Sequence, residues 1–314
     1  MLQIVAPPDL SERLVEALTT IYGEHPGHRA AHAKGVLCAG TFTANPTAAS
    51  LSRAAHFEGA TLPMHLRFSN GSGDPTLPDG ARDARGIGVK VRLPDGSTTD
   101  MVGLSLPVFF VRTPDDLLAF NEARRVDPAT GEPDMAKVGA FLAEHPETVP
   151  AVTAAIIAPA PESYARMTYH GIHAFRFVAA DGSARHARWH LVPEEGDATI
   201  ADDEAAGRRP DYLRRELDDR LARGPAVLHL ELELAGDGDP VDDPTAIWPD
   251  DRERVRVARV EITRLAFDRD RDGDVLVFDP TRVPDGIELT ADPILHARSG
   301  AYSVSVARRT AAPA

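Results

Sequence analysis

The sequence predicts an α+β fold in which an antiparallel sheet or barrel carries attached helices, and three observations predict it. Short runs with period-two alternation recur along the chain, the clearest being Leu228-His229-Leu230-Glu231-Leu232-Glu233-Leu234. Tight-turn pairs such as Asp95-Gly96 and Asp181-Gly182 stand beside several of these runs, as hairpins require. Helical periodicity is confined to a few segments that do not alternate with the strands, which argues against a doubly wound parallel sheet.

In chain order, Leu10–Tyr22 has helical spacing, with Leu14, Leu18 and Ile21 on one face and Ser11 available as a cap, and Pro26-Gly27 ends it. Residues 36–43 and 64–69 read as strands, and 86–93 reads as a strand entering the Asp95-Gly96 turn. Helices are expected over 114–125, 134–144 and 149–157. Residues 173–178 and 187–192 form a strand pair across Asp181-Gly182. A helix over 211–222 precedes strands at 228–234 and 255–265. The acidic stretches 193–211 and 236–251 read as solvated connections, and no internal repeat is visible.

At 314 residues the chain is long enough for a substantial core, and a single domain over residues 1–314 is expected because the chemically distinctive residues lie at its two ends. The hydrophobic fraction of 43% is ordinary for a globular protein, and no apolar run reaches bilayer length, so no membrane partner is expected. Residues 1–22 lack a basic start followed by an apolar run, which makes the cytoplasm the expected location. A net charge of −14 argues against nucleic acid as a partner. Cys38 is the single cysteine, so no internal disulfide forms; its apolar setting reads as a buried structural thiol, with a thiol peroxidase as the alternative.

Two motifs carry the chemistry. Near the start stands Arg29-Ala30-Ala31-His32-Ala33-Lys34-Gly35; near the end stand Arg298-Ser299-Gly300-Ala301-Tyr302 and then Arg309. A neutral histidine can move a proton between the two oxygens of a peroxide, and a tyrosine beside an arginine can bind ferric iron. Between the motifs lie Arg67-Phe68-Ser69, the run Arg82-Asp83-Ala84-Arg85-Gly86-Ile87-Gly88-Val89-Lys90, Asp100-Met101-Val102-Gly103, Pro107-Val108-Phe109-Phe110-Val111-Arg112, Asp243-Pro244-Thr245 and Trp248-Pro249. In this order, over most of the chain, these segments resemble the haem catalase family. The resemblance is to its short, catalase-related peroxidase branch, which lacks the long wrapping and C-terminal segments of full-length catalases.

That resemblance implies an eight-stranded antiparallel barrel and one haem b with ferric iron per chain. It implies that His32 is the catalytic acid and base, with Ser69 hydrogen-bonded to its ring, and that Tyr302 is the axial iron ligand. If the segment is helical, as the resemblance implies, Arg298 lies one turn from Tyr302, with its guanidinium beside the phenolate. Arg29, Arg67 and Arg309 match positions that hold haem propionates, a role suited to planar guanidinium groups. Ala31 and Phe110 are expected to line the cofactor pocket, with core packing as the other account of both.

One departure bears on activity. In catalases an asparagine follows the Val-Gly step and hydrogen-bonds the peroxide, whereas Leu104-Ser105 follows Val102-Gly103 here. The expected function is therefore a peroxidase that reduces hydrogen peroxide or an organic hydroperoxide and oxidises a small organic donor, with weak or absent catalase activity. Rearrangement of a fatty-acid hydroperoxide by the same haem, and a non-catalytic haem sensor or store, are the alternatives; the His32/Ser69 pair favours catalysis. The partners expected are a small-molecule peroxide and an organic electron donor, and a homo-oligomer is compatible with the sequence. Two other motifs carry less weight. Asp268-Arg269-Asp270-Arg271-Asp272-Gly273 matches half of a calcium loop but ends in Asp279 rather than glutamate, and His25, His28 and His32 have zinc-like spacing that Pro26-Gly27 interrupts.

Overall fold

The computed structural model describes residues 9–127, 129–267 and 275–311. Eight strands close into an antiparallel barrel: β1 (Gly35–Ala44), β2 (Thr61–Asn70), β3 (Arg85–Arg92), β4 (Thr98–Leu104), β6 (Tyr169–His170), β8 (Ala184–Pro193), β10 (Ala226–Leu234) and β11 (Arg254–Leu265). Around the ring the order is β10, β11, β1, β2, β3, β4, β6, β8 and back to β10. β7 (Phe175–Val178) pairs with the first half of β8 and carries β12 (Ile287–Leu289) on its other edge. β5 (Ala160–Pro161) and β9 (Thr199–Ile200) form a separate two-stranded pairing.

Alternation places Leu228, Leu230 and Leu232 of β10 in one continuous core with Leu66 and Phe68 of β2 and Val89 and Val91 of β3. Burying each such side chain fully contributes about 1.5–3 kcal/mol. The expected strands are all present: the one expected over 86–93 ends at Arg92, the one over 173–178 begins at Phe175, and the others lie within somewhat longer elements. β4 was outside the expectation because Thr98-Thr99-Asp100-Met101 does not read as an apolar alternation. Asp100 is nonetheless buried there, accepting from Lys90 Nζ (2.5 Å) and Arg282 Nη1 (2.6 Å).

The helices lie outside the barrel. They are α1 (Leu10–Tyr22), α2 (Ala48–Leu51), α3 (Pro114–Ala123), α4 (Met135–Glu144), α5 (Val149–Ile157), α6 (Asp202–Gly207), α7 (Tyr212–Arg223) and α8 (Pro293–Thr310). The cap of α1 is Asp9, not Ser11: Asp9 and Glu12 form a reciprocal capping box. Ser11 instead meets α8 at Gly300, where a Cβ would stand 2.3 Å from Ser11 Oγ, so the glycine permits the close crossing of α1 and α8. α8 begins at Asp292, whose side chain accepts from the N–H groups of Ile294 and Leu295. The calcium-like run at 268–273 lies outside the described residues; Asp279, the last position of that loop pattern, accepts from Thr281.

Candidate active site

The outer faces of β2, β3 and β4 form one wall of a cavity, and α1 and α8 form the opposite wall. Register fixes which side chains face it. Ser69 pairs with Gly86 and Gly86 with Leu104; one row along, Arg67 pairs with Gly88 and Gly88 with Val102. Residues directly opposite across a sheet share a face, so Ser69, Gly86 and Leu104 form one row and Arg67, Gly88 and Val102 the next. Counting its open mouth, the cavity encloses about 800 Å³.

His32 lies on the loop before β1, with φ at 58°, the one positive φ outside glycine among the described residues. Such a conformation persists where surrounding bonds over-determine it. Here the His32 N–H donates to the Gly71 carbonyl, and Arg67 donates to the carbonyls of His32 (3.0 Å) and Ala33 (3.2 Å). The ring nitrogen Nδ1 is 3.1 Å from Ser69 Oγ and 3.1 Å from the Asn70 carbonyl oxygen. A carbonyl only accepts, so Nδ1 carries the proton and Nε2 keeps its lone pair. Enclosure by protein, then the positive charges of Arg67 and Arg298, push the imidazole pKa down to about 3; the Asn70 bond opposes this and Arg29 adds to it. The ring is a neutral base at pH 7. Gly86 makes room for it, since a Cβ there would stand 2.6 Å from Nδ1.

Behind the loop lies a buried polar cluster. Asn70 accepts from Tyr164 Oη (2.7 Å) and donates to Asp79 (2.9 Å), and Asp79 pairs with Lys34 Nζ at 2.7 Å. These bonds hold the carbonyl that orients His32.

Tyr302 enters from α8. Arg298, one turn earlier, donates to the Tyr302 oxygen from Nε (2.9 Å) and Nη2 (2.6 Å). Its third nitrogen, Nη1, donates to His173 Nε2 at 3.0 Å, and His173 Nδ1 donates to Asp292 at 2.7 Å. The chain Tyr302, Arg298, His173, Asp292 thus runs from the cavity to the helix cap. His173 and Asp292 are buried, and burial drives the histidine pKa down to about 4 against the opposing Asp292 bond.

Of the residues expected from sequence, Arg29, Ala31, His32, Arg67, Ser69, Tyr302 and Arg309 all line this cavity. Arg298 stands behind Tyr302. Arg29 also donates to the Leu276 carbonyl, and Arg309 is buried. Phe110 is not brought to the cavity wall: it stacks on Phe120 at 5.7 Å and packs in the cluster that contains Leu104, Leu106 and Ile172. Sequence reasoning missed His173, Asp292, Asn70 and Phe278. The available signal for one of them was Asp292-Pro293, a helix-start pair that also had to leave an oxygen for another donor.

A family model described as catalase matches residues 10–313. A catalase-related peroxidase of Mycolicibacterium paratuberculosis is 42% identical over 300 residues, covering 95% of this chain and 94% of that protein. A catalase-related peroxidase of Synechococcus elongatus is 35% identical over 301 residues, covering 95% and 88%. Among solved structures, a fungal catalase superposes with a TM-score of 0.80 at 24% identity over 99% of this chain and 65% of its own. A bacterial catalase gives 0.79 at 23% identity over 99% and 63%. The chain spans a little under two thirds of those two catalases, and their likeness establishes the fold.

Proposed function

This chain belongs to the catalase family, a family of haem enzymes that act on peroxide, and on that premise we propose that it is a peroxidase with weak catalase activity. In this reading it reduces hydrogen peroxide or an organic hydroperoxide while oxidising a small organic donor, carried by one domain over residues 1–314. The residues at the cavity fit a haem of the b type. Val15, Leu18, Ile87, Val102 and Phe278 offer apolar contact to a macrocycle, Arg29, Arg67 and Arg309 offer guanidinium groups to its carboxylates, and Tyr302 offers an oxygen to its ferric iron. Bound there, haem would supply the iron at which the peroxide O–O bond breaks and would hold the two oxidising equivalents until electrons from a donor discharge them.

The chain's own residues manage protons and position. His32 Nε2 takes the proton from the near oxygen of the peroxide and delivers it to the far oxygen, which leaves as water or an alcohol. Its neutral state at pH 7 and its fixed tautomer suit it to begin as the base. On the other wall, three guanidinium nitrogens of Arg298 link Tyr302 to His173, favouring a negatively charged phenolate oxygen.

The observation that carries the preference for peroxidase over catalase is the row Ser69, Gly86, Leu104. The register puts Leu104 in the row of Ser69 and Gly86, and that side chain is apolar, 8% exposed and packed with Leu106 and Ile172. The family asparagine at this position hydrogen-bonds peroxide; leucine offers no such bond to a second peroxide molecule that must be oxidised. The test compares initial oxygen release with initial oxidation of a chromogenic donor on matched haem-loaded samples. Donor oxidation is expected to dominate, and vigorous oxygen release with little donor oxidation overturns the reading.

A further inference from the structure

Gly103 of β4 stands between two environments. Its neighbours Val102 and Leu104 belong to the outer rows of the barrel, so by alternation Gly103 turns its missing side chain to the interior. On the outside it lines the cavity that His32 and Tyr302 share. On the inside the indole of Trp189 takes the place of a side chain: a Cβ on Gly103 would stand 2.5 Å from Cη2 of that ring, and Gly171 makes room for the same ring. Trp189 is 4% exposed and belongs to the central core. The thickness of one strand thus separates the indole from the haem cavity, which is a short path for an electron.

The chain has five tyrosines and two tryptophans, the aromatic side chains most open to one-electron oxidation. A phenol that loses an electron must also shed its proton, and the buried phenols here donate to oxygens that cannot keep one. Tyr164 donates to the Asn70 side-chain oxygen, Tyr169 to the Tyr164 carbonyl and Tyr212 to the Pro161 carbonyl. Guanidinium groups stand over the other two phenol rings, Arg124 over Tyr22 at 5.9 Å and Arg298 over Tyr302 at 5.5 Å, and a positive charge there opposes removal of an electron. Trp248 is held back in the same way by Arg188, 4.4 Å from its ring. The Cys38 thiol is buried, with its pKa pushed up to about 12, and keeps its proton. An indole can yield an electron without its N–H proton, and Trp189 packs on glycine backbone at the wall of the site.

We propose that Trp189 is a redox-active residue of the peroxidase reading, on which the inference rests: it yields one electron across Gly103 and holds one oxidising equivalent inside the barrel. Cleavage of the peroxide leaves the haem two electrons short. One electron then passes from the indole to the haem; no bond breaks and no proton moves, so the haem is left one electron short and the ring becomes a radical cation. Two one-electron transfers from the donor restore both. Oxidation of a second peroxide draws two equivalents from the haem itself, so moving one of them to Trp189 favours donor oxidation over oxygen release.

The experiment mixes the full chain, loaded with ferric haem, with one equivalent of hydrogen peroxide and no donor, freezes it rapidly and reads it by electron paramagnetic resonance. A protein radical signal should appear and should narrow when the protein carries ring-deuterated tryptophan. Trp248→Phe should keep the signal, and Trp189→Phe should lose it while retaining the ferric haem absorption of the parent. The deuterated parent and Trp248→Phe together locate the radical even where Trp189→Phe does not fold. A radical unchanged by tryptophan deuteration, a radical lost in Trp248→Phe or retained in folded Trp189→Phe, or haem oxidised by peroxide with no protein radical overturns the role of Trp189 and leaves the peroxidase reading standing. A haem-loaded protein whose absorption does not respond to peroxide overturns both.

Discussion

The two histidines that serve the cavity, His32 on the barrel side and His173 behind the helix side, are alike in state and unlike in support. Each is neutral, with the proton on Nδ1 and the lone pair on Nε2, and each is held so by burial among arginines. His32 leans on a backbone carbonyl and a hydroxyl, and its loop is fixed by further backbone bonds. His173 depends on two side chains, Asp292 and Arg298, that come from a different part of the chain. A group held by backbone tolerates substitution around it; a group held by side chains fails when one link is removed. On the proposed function, the first arrangement suits a ring that moves a proton repeatedly, the second a fixed electrostatic support for Tyr302.

The largest expected effect falls at the end of the side-chain series. Tyr302→Phe should strip haem from the protein or change its ferric absorption spectrum, read by the ratio of haem to protein absorbance after gel filtration, and Arg298→Leu should act more mildly. Parent-like spectra in both would dissolve the helix-side assignment. Next, His32→Ala should lower donor oxidation and oxygen release together by about 10²–10⁴-fold, the usual range for a lost general base, whereas Ser69→Ala should cost far less because the Asn70 carbonyl remains. Equal losses in the two variants would contradict the backbone-held account of His32.

The comparison sharpens in stability. Asp292→Ala removes a helix cap and leaves the buried His173 Nδ1–H without its acceptor, for a loss of about 2–4 kcal/mol by urea denaturation; Ser69→Ala should lose about 1 kcal/mol. Acid should act on both histidines with the same sign. Their folded pKa values lie near 3 and 4, below the ordinary histidine value of 6.5, so the unfolded chain binds protons first as pH falls. Stability from these rings is complete above pH 6.5 and is lost progressively toward pH 3–4, measurable as a falling urea midpoint. The smallest effect is one of ratio: Leu104→Asn should shift the balance of products toward oxygen while leaving donor oxidation within a fewfold of the parent.

How far the sequence foretold this can be judged residue by residue. Alternation located β10 and β11, and helical spacing located α1, because each signal arises from which face of one local element is buried. α8 gave no such signal: Ser299, Gly300, Ser303, Val304, Ser305 and Val306 are indifferent or poor helix formers, and the helix draws on its Asp292 cap and its packing against α1. β4 was hidden because its polar Asp100 is buried against Lys90 and Arg282, a pairing that no local pattern encodes. Phe110 was expected at the cofactor from the family resemblance; here it stacks on Phe120.

By itself the sequence determined the antiparallel character of the sheet, the acidic net charge that disfavours nucleic acid, and the two terminal motifs whose residue types suit proton transfer and iron ligation. These follow from composition and short-range spacing, which are properties of the unfolded chain as much as of the folded one. Only the tertiary structure decided that Nδ1 of His32 faces the Asn70 carbonyl, that Arg67 and Arg298 depress its pKa, and that His173 and Asp292 complete the support of Tyr302. Hydrogen bonds and charge interactions act over a few ångströms, and the residues that make them here, such as His32 and Arg298, are as many as 266 positions apart along the chain.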